Sequence, residues 1–265
     1  VPPRLVGALA GLATAGTWRW LQGVEAASDP SWQRRNYRNR EVTLLLGPAV
    51  VAGTAVGIAA GSSRSRLGAT VAVAAIGAIG AYDDRYGDAH AKGLRGHLEA
   101  LRAGRVTTGM AKMLTMGAIA AALAPRRSRL LDRALGTALI AGGANLVNLL
   151  DLRPGRAAKV TSAAAIVLSR VGERPARCAA AAAGSAAAVA LVPDVREEAM
   201  LGDCGASTLG AALGWSLAAR PSRFTRLLGA AGIVAATLAS ERVSFSAVID
   251  EHPVLRRLDA LGRAR

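Results

Sequence analysis

Nine runs rich in Ala, Gly, Val and Leu follow one another along the chain, near 4–22, 42–61, 66–82, 106–124, 130–150, 157–170, 177–192, 205–220 and 224–240, with short basic loops between most of them. A helix needs about 20 apolar residues to cross ~30 Å of hydrocarbon, and several runs approach that length. The sequence therefore predicts an all-α, polytopic membrane protein of about nine transmembrane helices, forming one domain over residues 1–265. An Ala-rich soluble helical protein is the competing reading, and the run lengths disfavour it. Of all residues 52% are hydrophobic but 3% are aromatic, so the apolar bulk is small. Small side chains let helices approach closely in lipid, and Gly142–Gly143 inside the fifth run marks one such contact or a kink. The first run is followed by basic residues instead of a small-residue cleavage site, and is read as the first membrane helix.

The net charge is +15. Basic residues anchor membrane proteins to anionic head groups and set their orientation; they also suit anionic substrates. The charge is scattered over loops and no nucleic-acid motif accompanies it, which argues against nucleic acid as a partner. Cys178 and Cys204 fit neither a CxxC nor a zinc spacing. Placing the Arg-rich loop 28–41 in the cytoplasm puts 23–41, 83–105, 151–156, 193–204 and 241–265 on that side. The basic stretch 125–133 falls outside and runs against this assignment.

The polar clusters then gather at the cytoplasmic face. The third run ends in "AIGAYDDRYGDAHAKGLRGH", with Asp83 and Asp84 where the helix meets water. Adjacent carboxylates there call for a divalent cation or a cationic side chain, or one of them serves as a base; solvated charges at a polar helix end are the plain alternative. In "REEAMLGDCGASTLGAALG", Asp203 stands between glycines before an apolar run. It suits an N-cap, or a ligand of an oxygen-seeking ion such as Mg²⁺. In "ANLVNLLDLRPGRAAK", Asn145, Asn148 and Asp151 recur at i, i+3 and i+6 and form a polar stripe. Interhelical hydrogen bonding would account for them; a site lining accounts also for Arg153, Arg156 and Lys159 close by, which could hold phosphates. Lys112, early in the fourth run, either meets a lipid phosphate or snorkels to head groups. Three clusters at one end of the spans predict a single cation and phosphate site in a cytoplasm-facing cleft.

The order "YDDRYGD…KGL", "NLVNLLD", "LGDCGAS" resembles the polyprenyl-phosphate N-acetylhexosamine-1-phosphate transferases, relatives of bacterial phospho-N-acetylmuramoyl-pentapeptide transferase. The motifs cover residues 82–210. The resemblance implies Mg²⁺-dependent transfer of a sugar-1-phosphate from a UDP-linked amino sugar to a polyprenyl phosphate such as undecaprenyl phosphate, releasing UMP, in cell-envelope glycan and peptidoglycan biogenesis. Mn²⁺ is an alternative ion. It implies catalytic roles for Asp83, Asp84 and Asp203, with Asp203 and Asp84 at the metal, a cleft lined by Asn145, Asn148 and Asp151, and a loop lysine at Lys92; Lys112, Arg153, Arg156 and His252 are further expected substrate contacts, the two arginines being additions to the family pattern. It implies a multi-pass protein of the bacterial inner membrane with the lipid bilayer as partner; relatives are often dimeric, so a homodimer is one expectation. The family commonly continues its third Asp as Asp-Gly-x-Asp-Gly; here "DLRPGRA" puts Pro154 where the second Asp would stand. His252 is the lone histidine where the muramoyl-pentapeptide enzymes carry a histidine-rich loop. A catalytically idle member that binds lipid phosphate or nucleotide sugar is the second expectation, and a small transporter the third.

Overall fold

The computed structural model describes the chain except residues 25–27, 62–64, 88–95, 97–100, 103, 105–106 and 264–265. Each of the nine apolar runs forms a helix: α1 (Pro3–Gln22), α2 (Leu46–Ala60), α3 (Arg66–Tyr86), α4 (Thr108–Leu123), α5 (Leu130–Leu150), α6 (Arg156–Leu168), α7 (Arg174–Val195), α8 (Gly202–Ala218) and α9 (Arg223–Ser240). Two short helices follow, α10 (Phe245–Glu251) and α11 (Pro253–Ala260). Among the described residues the fold is all-helical apart from one hairpin, in which β1 (Gln33–Arg35) pairs antiparallel with β2 (Glu41–Thr43).

By length and composition two helices, α3 and α7, can each cross a bilayer alone, and α9 with α10 makes a third span if the pair, bent by 89°, is counted as one. The other helices are shorter or less apolar. At 13 residues, α6 is roughly 20 Å long. The outer surface is nevertheless apolar around much of the bundle: Leu12, Leu114, Leu130, Val167 and Phe224 are all largely exposed, on α1, α4, α5, α6 and α9. Soluble monomers seldom show large apolar patches, so this distribution supports membrane association.

The core is organised around α8, in which every residue from Cys204 to Ser216 is buried. A helix apolar all round belongs inside a bundle, and α8 packs on α5, α3, α2 and α7. Its closest approach is to α5. A Cβ added at Gly210 would lie 2.1 Å from the Gly143 carbonyl oxygen, so the two backbones touch and only glycine fits. The C-termini of α3, α5 and α9 and the N-termini of α4 and α8 meet at one end of the bundle, at the cavity described below. The β1–β2 hairpin sits there too: the Met200 N–H donates to the Thr43 carbonyl at 3.0 Å, tying β2 to the segment that leads into α8.

Candidate functional site

A cavity of about 540 Å³ opens at this end of the bundle. Its walls carry Asp83 and Asp84 from α3, Lys112 from α4, Asn145 and Asn148 from α5, Asp151 just beyond α5, and Asp203 from α8. Residues 120 positions apart in sequence thus share one space because each stands at a helix end pointing the same way.

The two adjacent aspartates have different surroundings. Asp84 is buried, and its Oδ1 and Oδ2 accept the backbone N–H groups of Asp203 and Cys204, each at 2.9 Å. These are first-turn N–H groups of α8, which lack an intrahelical partner. Asp84 thereby caps α8 from another helix, and its charge faces the positive end of the helix dipole. The cap requires Gly202, at φ 62°, where an added Cβ would stand 2.8 Å from Asp84 Oδ2. Asp83 faces the cavity: Lys112 Nζ donates to its Oδ2 at 2.6 Å and also to Asp203 Oδ2. All three side chains are about a fifth exposed, so they meet at the boundary of water and protein.

Among the described residues no three His, Cys, Asp or Glu side chains converge as a metal cage. Asp83 and Asp203 nevertheless face one point, now held by the Lys112 ammonium, and amide side chains stand in the same wall. Two carboxylates with room for further oxygens fit Mg²⁺, which takes one or two carboxylates and completes its shell with water and phosphate. Both Asp84 oxygens serve the α8 backbone, whereas Asp83 and Asp203 are the carboxylates that meet Lys112 at the cavity.

Asp151 lies at the floor, where its own N–H donates to the Asn148 carbonyl at 3.1 Å. Burial, reinforced by the neighbouring charges of Asp194 and Asp203, pushes its carboxyl well above the ordinary carboxylate range. Its Oδ2 is buried without a partner. Pro154, which stands where the resembled pattern carries an aspartate, lines a cavity of about 30 Å³ together with Asp151 and Asp194. A carboxylate from the end of α7 therefore stands near that position.

Three expected substrate-binding residues are elsewhere. Arg156 is buried and held by Asp259, with Nε to Oδ1 at 2.8 Å and Nη2 to Oδ2 at 3.0 Å, and it donates to Ser246 at 2.9 Å. It fastens the C-terminal helices to α6 and has no place at the cavity. Arg153 stacks over the Tyr37 ring at 4.5 Å and lies 3.6 Å from Asp250, lining the small cavity instead. His252 is exposed at the junction of α10 and α11 and is absent from the lining. Lys92 lies outside the described residues.

The cavity also includes residues that sequence reasoning passed over: Arg34, Thr108, Met113, Thr237 and Glu241. Arg34 donates from Nη2 to the backbone carbonyl of Asp84. Nothing in "SWQRRNY" signals which arginine reaches the cavity. No protein-family model matches the chain and no curated protein matches it.

Proposed function

We propose that the chain is a membrane transferase that moves a sugar-1-phosphate from a UDP-activated amino sugar to a polyprenyl phosphate, releasing UMP. The observation that carries this reading is the meeting of "YDD", "NLVNLLD" and "LGD" with Lys112 around one cavity at one end of an apolar helical bundle. The same three stretches carry the resemblance to the polyprenyl-phosphate N-acetylhexosamine-1-phosphate transferases. On this reading all nine long helices lie in a bacterial inner membrane, the shorter ones tilted or partly inserted, and the cavity opens to the cytoplasm.

A phosphate oxygen of the lipid carrier attacks the sugar-bearing phosphorus of the donor. The bond to the bridging oxygen breaks and UMP leaves with that oxygen. Both reactants are anions, and cationic side chains that face them offset their repulsion. Lys112 fits this role by its place between Asp83 and Asp203, at the cavity edge where α4 begins. Arg34 adds a second positive charge to the wall. Asp83 is the carboxylate placed to take a proton from an incoming lipid phosphate. Asn145 and Asn148 present amide donors and acceptors to the donor's polar groups. Asp203 would hold Mg²⁺, which would supply charge neutralisation at the diphosphate. The volume is in the range of small-molecule sites, ~300–1,000 Å³.

One observation favours a second reading. The Lys112 ammonium already bridges Asp83 and Asp203, as expected of a catalytically idle member that binds a phosphate ligand without a metal. The assay for both is UMP release by purified protein with undecaprenyl phosphate, Mg²⁺ and a panel of UDP-sugars. Turnover that Asp203→Asn abolishes, without unfolding, is the expected result. No release with any donor from folded protein supports the idle reading; full activity of the variant removes Asp203 from the site.

A further inference from the structure

The largest cavity of those described, about 790 Å³, is remote from the aspartates. It is a trench where α7 packs against α1 and α6, at the end of the bundle opposite the cleft. Three arginines stand at its mouth: Arg4 in the first turn of α1, Arg170 just after α6, and Arg177 in the first turn of α7. Arg177 donates from Nε to the Ser169 carbonyl at 2.9 Å, which orients the guanidinium and leaves its outer nitrogens for another partner. Among the described residues no carboxylate lines the trench.

Below the mouth the walls carry little beyond small side chains, among them Gly7, Ala165 and Gly184. The helices are in contact at the floor: a Cβ added at Gly184 would lie 2.4 Å from Ala165 Cβ, and one at Gly7 would lie 2.8 Å from Ser185 Oγ. Along α7 the trench runs from Arg177 to Ala188, roughly 16 Å at 1.5 Å per residue. It therefore joins a cationic mouth to a long groove lined mainly by small side chains.

We propose that this trench binds an anionic phospholipid, with its phosphate on Arg4, Arg170 and Arg177 and one acyl chain lying along α7 between α1 and α6. The choice of occupant follows from charge and shape together. Guanidinium groups match phosphate oxygens in fork geometry, and a groove walled by small side chains along roughly 16 Å of α7 suits an extended acyl chain. The lipid would fill a gap that the Ala/Gly packing leaves open and so brace α1 against α6. The proposal rests on the chain being membrane-embedded; carbonate extraction of native membranes tests that point independently, because a peripheral protein is released.

The experiment is thermal unfolding of the full chain in detergent with added phosphatidylglycerol, phosphatidylcholine or inorganic phosphate, repeated on the triple variant Arg4→Gln, Arg170→Gln, Arg177→Gln. A midpoint raised by phosphatidylglycerol alone, and lost in the triple variant, is expected. Equal shifts with both lipids, or a shift that survives in the variant, overturns the proposal. A shift reproduced by inorganic phosphate makes the mouth a free-anion site and overturns it as well. Ala188→Trp, at an exposed position of the channel, should weaken the phosphatidylglycerol shift several-fold in a folded protein. If that variant instead changes the oligomeric state with the lipid response intact, the occupant is a second copy of the chain and the lipid assignment fails.

Discussion

Substituting each of the adjacent aspartates separately should split stability from activity. Asp84 accepts two backbone N–H groups at the start of a buried helix, both at 2.9 Å. In Asp84→Asn the side-chain oxygen keeps one of these bonds, while the new NH₂ group faces an N–H donor. One charge-assisted bond is lost, at about 1.5–3 kcal/mol. The favourable charge at the helix N-terminus is lost too, at about 0.3–1 kcal/mol. The sum is about 2–4 kcal/mol, which corresponds to a fall of roughly 5–15 °C in unfolding temperature for a chain of this size. Asp83 serves no backbone group; it meets Lys112, which keeps Asp203 as a partner. Asp83→Asn should therefore move the midpoint by less than about 1 kcal/mol while abolishing UMP release. The assay is a thermal melt of both variants in one detergent, paired with turnover. Equal midpoints for the two variants would refute the capping role, whatever the activities show.

Further outcomes follow from the same geometry. Lys112→Met leaves two carboxylates opposed, and should cost about 1–3 kcal/mol of stability and nearly all turnover, read by melt and UMP assay. Gly210→Ala forces α5 and α8 apart and should cost about 1–3 kcal/mol. Gly232→Ala on α9, with nothing within 4 Å of the added carbon, should be neutral or stabilise by about 0.5–1 kcal/mol; a melt of both variants checks the contrast. Burial alone would raise the Asp259 carboxyl, but hydrogen bonds and charge from Arg156 and Arg263 hold it below the ordinary value. The anchoring of α11 is therefore complete above the unfolded carboxylate range near pH 4 and lost as pH falls through the lower folded value. A spin label at the exposed Leu255 should stay ordered from pH 7 to 5 and loosen in stronger acid; loosening near neutrality would contradict the Asp259 anchor.

The helices were legible in the sequence because an apolar run bounded by Arg, Pro or Gly has few alternatives in lipid, and all nine runs are helical. The meeting of Asp83, Asn148 and Asp203 was legible because each sits at a helix end and successive helices alternate in direction. What each carboxylate does was not. Asp84 and Asp83 are neighbours in sequence, and which one caps α8 depends on how α3 rotates against it. Arg156 looked like a phosphate ligand because it follows Pro154–Gly155, yet its partner Asp259 lies 103 residues away. Arg34 escaped notice because a three-residue strand carries too little pattern to say which side faces inward.

The contact of Gly143 with Gly210 also sets the breadth of the cleft. Asn148 lies five residues beyond that contact on one helix, and Asp203 seven residues before it on the other. Their separation is thus fixed by main chain resting on main chain, with no side chain interposed to act as a spacer. Related chains could exchange nearly every flanking side chain and still hold the amide and the acid at the same reach, provided these two positions stay bare. On the proposed transferase reading, drift elsewhere would then retune which sugar or carrier fits without altering the distance across which a phosphoryl group must pass.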